Sequence, residues 1–265
     1  MNTVAPPRSY LFVPGNRPER FDKALASAAD AVIVDLEDAM PPEQKNAARA
    51  AVAGWLVASK PVVLRINAAD TPWFDEDLAL CRQPGVAAVM FAKAERVEDF
   101  AALGGSVPII ALIESAAGFD NLRAIASAPQ VQRLAFGAID FQLDMHMRAT
   151  FDDLVFFRSQ IVLASRLAGI GTPIDSPSTA IDATDEVESE AQRARRLGFG
   201  AKLCIHPKQV ASVNRSFSPS EADVAWAKRV VDVAAASAGA AVALDGKMVD
   251  KPVILRAQAI LREVR

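Results

Sequence analysis

Short apolar runs rich in β-branched residues alternate with longer amphipathic ones along most of the chain. That alternation restricts the fold more than any other feature. The apolar runs are SYLFVPG (9–15), AVIVDLE (31–37), VVLRIN (62–67), VAAVMFAKA (86–94), PIIALIES (108–115), VQRLAFGAID (131–140), GTPIDSPS (171–178) and AKLCIHP (201–207). Helical patterns lie between them, among them PEQKNAARAAVAGWLV (42–57), DDLVFFRSQIVLASRLAG (152–169) and DEVESEAQRARRLG (185–198). The first opens near Pro42 and the other two close on glycine, both favoured placements. Near-continuously apolar strands, each followed by a helix, indicate a parallel sheet covered on both faces. Eight such units predict an α/β fold, a (β/α)8 TIM barrel. An open doubly wound sheet is the competing arrangement, because periodicity alone does not close a barrel.

The tail departs from the eightfold pattern. PSEADVAWAKRVVDVAAASAG (219–239) reads as the eighth helix, AVALDGKMVDK (241–251) as a segment with an Asp-Gly turn signal, and an amphipathic helix starts at Pro252. The expected division is a barrel over 1–240 and an extra C-terminal hairpin and helix over 241–265, with the Ala-rich 233–243 region as a candidate hinge.

Size and charge narrow the function. A chain of 265 residues that is 51% hydrophobic supports one large core. Lys and Arg total 29 against 32 Asp and Glu, so bulk charge favours neither a nucleic-acid nor a membrane-surface partner. The two cysteines, Cys81 and Cys204, have no Cys-x-x-Cys spacing, which argues against disulfides or zinc and suits a reducing, cytoplasmic setting. MNTVAPPRSY has no basic region leading into an apolar core, so no signal peptide is expected. No window reaches the 18 uncharged apolar residues of a membrane span.

In a parallel barrel, reactive groups gather at the C-terminal ends of the strands. Those ends carry Asp35, Glu37 and Asp38 (second), Arg65 and Asn67 (third), Lys93 and Glu95 (fourth), Glu114 and Ser115 (fifth), Asp140 (sixth), Asp175 and Ser176 (seventh) and His206 (eighth). Polar groups converging on apolar strands are costly unless paired or used. Helix capping is the plain explanation for Ser115 and Asp140, and hydrogen bonding for His206; His146 has no assignment. Capping does not explain Glu or Arg on a strand. Glu114 and Asp140, read as neighbours, repel unless a cation lies between them. Magnesium fits, being held by one or two carboxylates while keeping waters. Only His146 and His206 exist to bind zinc. For the acidic DLEDA run, a solvated helix start and a support for metal-bound waters through Glu37 and Asp38 stay equally open. Arg65, inside an apolar strand, needs a carboxylate or oxyanion partner and is the candidate substrate clamp. Arg17, Arg20 and Lys23 in VPGNRPERFDKA are either surface charge or phosphate contacts; no nucleotide fingerprint is present.

The segments RSYLFVPGNRPERFDKA, AVIVDLEDAMPPEQKNAAR, VVLRIN, ALIESAAG, LAFGAIDF, KLCIHPKQV and DGKMVDKP together resemble the citrate lyase β-subunit-like branch of the HpcH/HpaI aldolase superfamily. The resemblance implies a (β/α)8 barrel, a homotrimer or a dimer of trimers, with Mg2+ at the strand ends. It implies reversible cleavage of a 3-hydroxyacyl thioester, of citramalyl-CoA, malyl-CoA or citryl type, into an acyl-CoA and a small 2-oxo acid. By position, Glu114 and Asp140 match the metal ligands and Arg65 the substrate arginine. Asp250 matches a C-terminal aspartate that reaches a neighbour's active site, and the segment with Arg17 and Lys23 matches the coenzyme A region. The sequence departs from the family where FGAIDFQLDMH replaces FGAEDFAADLG, placing Ile139 for an acid and Met145-His146 for Leu-Gly, and where Lys93 follows Ala92 instead of a proline. Two alternatives accompany this expectation: a class II-type aldolase on free 2-oxo acids, and a non-catalytic barrel that binds an acyl carrier or another subunit.

Overall fold

A computed structural model describes residues 5–105, 107–236 and 242–264. Eight parallel strands close into a barrel in sequence order: β1 (Ser9–Pro14), β2 (Ala31–Asp35), β3 (Val62–Ile66), β4 (Val86–Phe91), β5 (Ile109–Ile113), β6 (Val131–Phe136), β7 (Ile174–Asp175) and β8 (Ala201–Cys204). β1 pairs with both β2 and β8, so the open-sheet alternative is excluded. Tyr10, Ile33, Val63, Met90, Ile110, Leu112, Ala135, Ile174, Ala201 and Leu203 pack together inside. Strand period two then decides which polar residues point the same way. Asp35 follows Ile33, Arg65 follows Val63, and Glu114 follows Leu112 onto the inner face at the C-terminal end. The opposite parity sends Asp175 and its register partner Lys202 outward, under the helices.

Most strands are shorter than the apolar runs. β7 keeps two residues of 171–178, because Pro173 and Pro177 have no N–H to give the ladder. The sixth strand stops at Phe136 rather than running to 140. Gly137 turns the chain into the helix Ala138–Asp144, so Asp140 lies in a first helical turn and not on a strand. The eighth strand stops at Cys204, and Pro207 opens a helix, Pro207–Ser216, at the position where proline is favoured. That helix, not 219–239, directly follows the last strand.

Residues Pro7–Asn214 form one compact unit, and the described residues from Arg215 onward belong to another. The second unit holds the helix Glu221–Ala236, a hairpin of β9 (Val242–Leu244) and β10 (Lys247–Val249), and the helix Lys251–Glu263. Asp245 (φ 53°) and Gly246 (φ 71°) make the hairpin turn, the left-handed pair that Asp-Gly favours. Ala227, Val230, Val249 and Ala257 form its small core. The boundary expected at 240/241 and residues 237–241 of the candidate hinge lie outside the described residues. Among the described residues no helix is long and apolar enough to cross a membrane.

Candidate active site

Arg65 projects inward beside Asp35 of β2, its register partner. Asp35 takes the guanidinium bidentately, Nε to Oδ1 at 2.7 Å and Nη2 to Oδ2 at 2.6 Å. Nη1 stands 2.9 Å from Glu37 Oε2, and the Phe12 ring centre lies 4.7 Å from the guanidinium carbon. Two parallel bonds and an aromatic face make this a rigid cation. Burial works against its charge, but Asp35, Glu37 and Glu114 together outweigh burial and raise its pKa. The partner expected for Arg65 is therefore a carboxylate of the same barrel.

Glu114 follows β5 and is 3% exposed. The Lys93 amide donates to its Oε1 at 2.8 Å. Lys93 adopts φ 45°, a left-handed conformation held by its surroundings at the site. Gly137 leaves room for Glu114: a Cβ there would stand 2.6 Å from Glu114 Cβ and 2.7 Å from Oε2. Burial, and then the charge of Glu37, push the Glu114 carboxyl up to about 8, against the pull of Arg65. Burial likewise brings Glu37 to about 7, again opposed by Arg65. Asp140 is raised by burial and by Asp38. The mouth thus gathers more carboxyl groups than Arg65 and Lys93 can hold ionised.

That surplus, offered entirely by carboxylate oxygens, fits a hard divalent cation. Glu114 and Asp140, which follow the neighbouring strands β5 and β6, are the carboxylates that could hold it. Among the described residues no group of three or more His, Cys, Asp or Glu is arranged as a metal cluster. A two-carboxylate site suits magnesium, which leaves most of its coordination to water and substrate.

The other expected residues are placed as follows. Asp38 is exposed beside Glu37. Arg17 and Lys23 are exposed after β1, and Arg17 Nε bonds Glu19 at 2.7 Å. Ser115 is a helix cap, accepting from the Gly118 amide at 3.1 Å, and it donates to Glu95 at 2.6 Å. Asp140 is not a cap; Gly137 holds that position. His206 Nδ1 accepts from the Lys208 amide at 3.2 Å, a structural role. His146 takes φ 54° after the helix Ala138–Asp144, the conformation for which the family pattern has glycine. Asp250 caps the helix Lys251–Glu263 by accepting from the Val253 amide at 3.2 Å. Asp175 does not reach the mouth and is bound by Lys202 and Arg158 on the flank. Ser176 Oγ accepts from the Ala138 amide at 3.1 Å and so ties the helix that carries Asp140. Burial pushes both cysteine thiols up to about 12, leaving no nucleophile there.

Three residues went unnoticed in the sequence. Gly137 makes space for Glu114, while Lys45 and Asp77 build a buried network behind the acidic loop. Lys45 is buried on one helix face with Ala48, Arg49 and Val52.

Residues 8–207 match the model of the HpcH/HpaI aldolase/citrate lyase family. A citrate lyase subunit beta-like protein of Deinococcus radiodurans is 38% identical, with 97% of this chain and 98% of that protein covered. An L-malyl-CoA/beta-methylmalyl-CoA lyase of Cereibacter sphaeroides is 34% identical, covering 97% and 94%. The crystal structure of CitE from Mycobacterium tuberculosis, in complex with magnesium, acetoacetate and coenzyme A, matches with a TM-score of 0.88 and 35% identity over 97% of each chain. A closed eight-stranded barrel, an acidic mouth with one buried arginine, and relatives aligned over nearly their full length agree, and the chain belongs to the HpcH/HpaI aldolase/citrate lyase family.

Proposed function

We propose that the protein is a magnesium-dependent carbon–carbon lyase. It reversibly cleaves a 3-hydroxyacyl thioester of the citramalyl-CoA, malyl-CoA or citryl type into an acyl-CoA and a small 2-oxo acid. The observation that carries this reading is the gathering of the Glu114, Glu37 and Asp140 carboxyl groups around an Arg65 already fixed by Asp35. The lyases among its relatives support the thioester substrate.

Glu114 and Asp140 would hold the cation, with the Glu37 and Asp38 carboxylates beside them as acceptors for its surroundings. When bound, magnesium supplies Lewis acidity and a template for the oxo acid. Asp250 of a neighbouring copy serves as the base. It takes the 3-hydroxyl proton, the C2–C3 bond breaks, and its electron pair passes to the thioester as an enolate. Arg65 stabilises the developing oxyanion without reorganising, because Asp35 fixes it beforehand. A proton returned to C2 releases the acyl thioester. Arg17 and Lys23 contact the phosphates of coenzyme A. Assembly as a homotrimer or a dimer of trimers brings Asp250 to its neighbour. Exposed Phe156, Leu163 and Leu167 on one face of the helix Val155–Ala168 support self-association. The protein acts in the cytoplasm.

The test is a thermal-shift titration with Mg2+, then oxaloacetate, pyruvate, glyoxylate and acetyl-CoA, on wild type and Glu114→Ala. A ligand of the native state raises the melting point by mass action. Stabilisation by an oxo acid that needs both magnesium and Glu114 is the expected result. Wild type that responds to neither metal nor oxo acid overturns the reading and leaves the non-catalytic barrel.

A further inference from the structure

Lys45 is 5% exposed, which is costly for an ammonium unless its donors are used. It spends three bonds on three acceptors: Leu36 O at 3.0 Å, Glu37 O at 2.8 Å and Asn67 Oδ1 at 2.5 Å. The Trp73 ring covers it, 4.7 Å from Nζ to the ring centre. The two carbonyls belong to the peptides on either side of the Glu37 Cα. One nitrogen therefore fixes both peptide planes of Glu37, and with them the direction of its side chain and the start of Asp38.

The anchor is itself held. Asn67 Nδ2 donates to Leu36 O at 2.9 Å and to Asp77 Oδ2 at 2.6 Å, and the Asn67 amide donates to the same Asp77 oxygen at 2.9 Å. Asp77 also accepts from Arg49 Nη1 at 3.2 Å. On the other side of the loop, the Glu37 amide donates to Asp35 Oδ1 at 2.9 Å, the oxygen that takes Arg65 Nε. The acidic loop is thus pinned between Lys45 behind and the Asp35–Arg65 pair in front.

We propose that Lys45 is a positioning residue of the site: its ammonium, bonded to the carbonyls of Leu36 and Glu37 and to Asn67, sets where the Glu37 and Asp38 carboxylates stand toward Arg65 and the cation held by Glu114 and Asp140. This inference rests on the magnesium reading above. Lys45 touches no reacting atom. Partners that orient a metal's immediate surroundings change metal affinity by about 10- to 100-fold when removed.

The test is calorimetric titration of metal-free protein with MgCl2, on wild type, Lys45→Met, Lys45→Arg and Glu114→Gln, beside melting curves without metal. Lys45→Met keeps the length and loses every bond. Lys45→Arg keeps the charge but cannot set one nitrogen against all three acceptors. The expected result is Mg2+ affinity about tenfold weaker or worse in Lys45→Met, weaker also in Lys45→Arg, and lost in Glu114→Gln. A purely structural lysine would lower the metal-free melting point and leave the magnesium Kd alone. A folded Lys45→Met with the wild-type Kd overturns the inference; if that variant does not fold, the same result in Lys45→Arg overturns it. Wild type that binds no Mg2+ instead overturns the lyase reading, and the Lys45 inference with it.

Discussion

The barrel buries charge in two places, and the two are balanced differently. On the flank, Asp175 is fully buried between Lys202, 2.9 Å away, and Arg158, 2.8 Å away, with Glu190 3.2 Å from Lys202. Two cations face two carboxylates. Burial alone would raise the Asp175 pKa, but Lys202 and then Arg158 outweigh it and hold it below the usual carboxylate range. At the mouth, burial wins over Arg65, and Glu114, Glu37 and Asp140 are all raised. The flank cluster is complete within the chain. The mouth has more carboxyl groups than its cations hold ionised, and that is how it differs from the flank cluster.

The largest expected effect tests the flank. Asp175→Asn leaves Lys202 and Arg158 without their shared counter-charge and should cost about 3–5 kcal/mol in chemical denaturation. The magnesium Kd should not move. A shifted Kd would merge two clusters that this comparison separates.

Arg65→Lys comes next. It keeps a charge beside Asp35 but loses the fork, so turnover should fall about 10²–10³-fold. Unchanged turnover would remove Arg65 from the chemistry. Arg65→Ala is less informative, because it also strands Asp35, which is 1% exposed.

Opposite pH slopes provide the third test. The folded pKa of Asp175 is lowered, so its contribution is present above the unfolded carboxylate pKa and is lost as pH falls through the folded value. Glu114 in metal-free protein is raised to about 8, so its contribution is present below the unfolded pKa and is lost as pH rises through about 8. Melting points of metal-free Glu114→Gln should therefore gain on wild type between pH 5 and pH 9. A constant gap would mean the Glu114 carboxyl is not raised.

The smallest effect is Ser115→Ala. Losing the cap on Gly118 should cost about 1 kcal/mol in a urea melt. A loss of turnover far beyond that would make the strand-end serine more than a cap.

Much of this arrangement was legible in the residues. Apolar runs of strand length, separated by amphipathic ones, forced parallel strands with helices outside, and the strand ends put Asp35, Arg65 and Glu114 at the mouth. Asp140 misled as a strand end because LAFGAI (134–139) runs without a polar side chain right up to it. Only the close approach of Glu114 reveals why a glycine stands at 137. Lys45 was invisible as part of the site, since its three acceptors come from 8, 9 and 22 residues away. The helix Pro207–Ser216 was missed despite Pro207, because a strand pattern runs directly into it.

The sequence by itself determined the class of fold and the chemical types available at the strand ends. Those depend on local periodicity and on which side chains carry charge. Tertiary structure decided which charges cancel. Asp175 and Asp35 look alike in sequence, each closing an apolar run. One residue of parity sends the first outward to Lys202 and Arg158, while the second faces inward to fix Arg65. Whether a buried carboxylate is satisfied or waits for a cation depends on neighbours that only the closed barrel brings within about 3 Å, where a buried pair is strong and an unpaired charge is expensive.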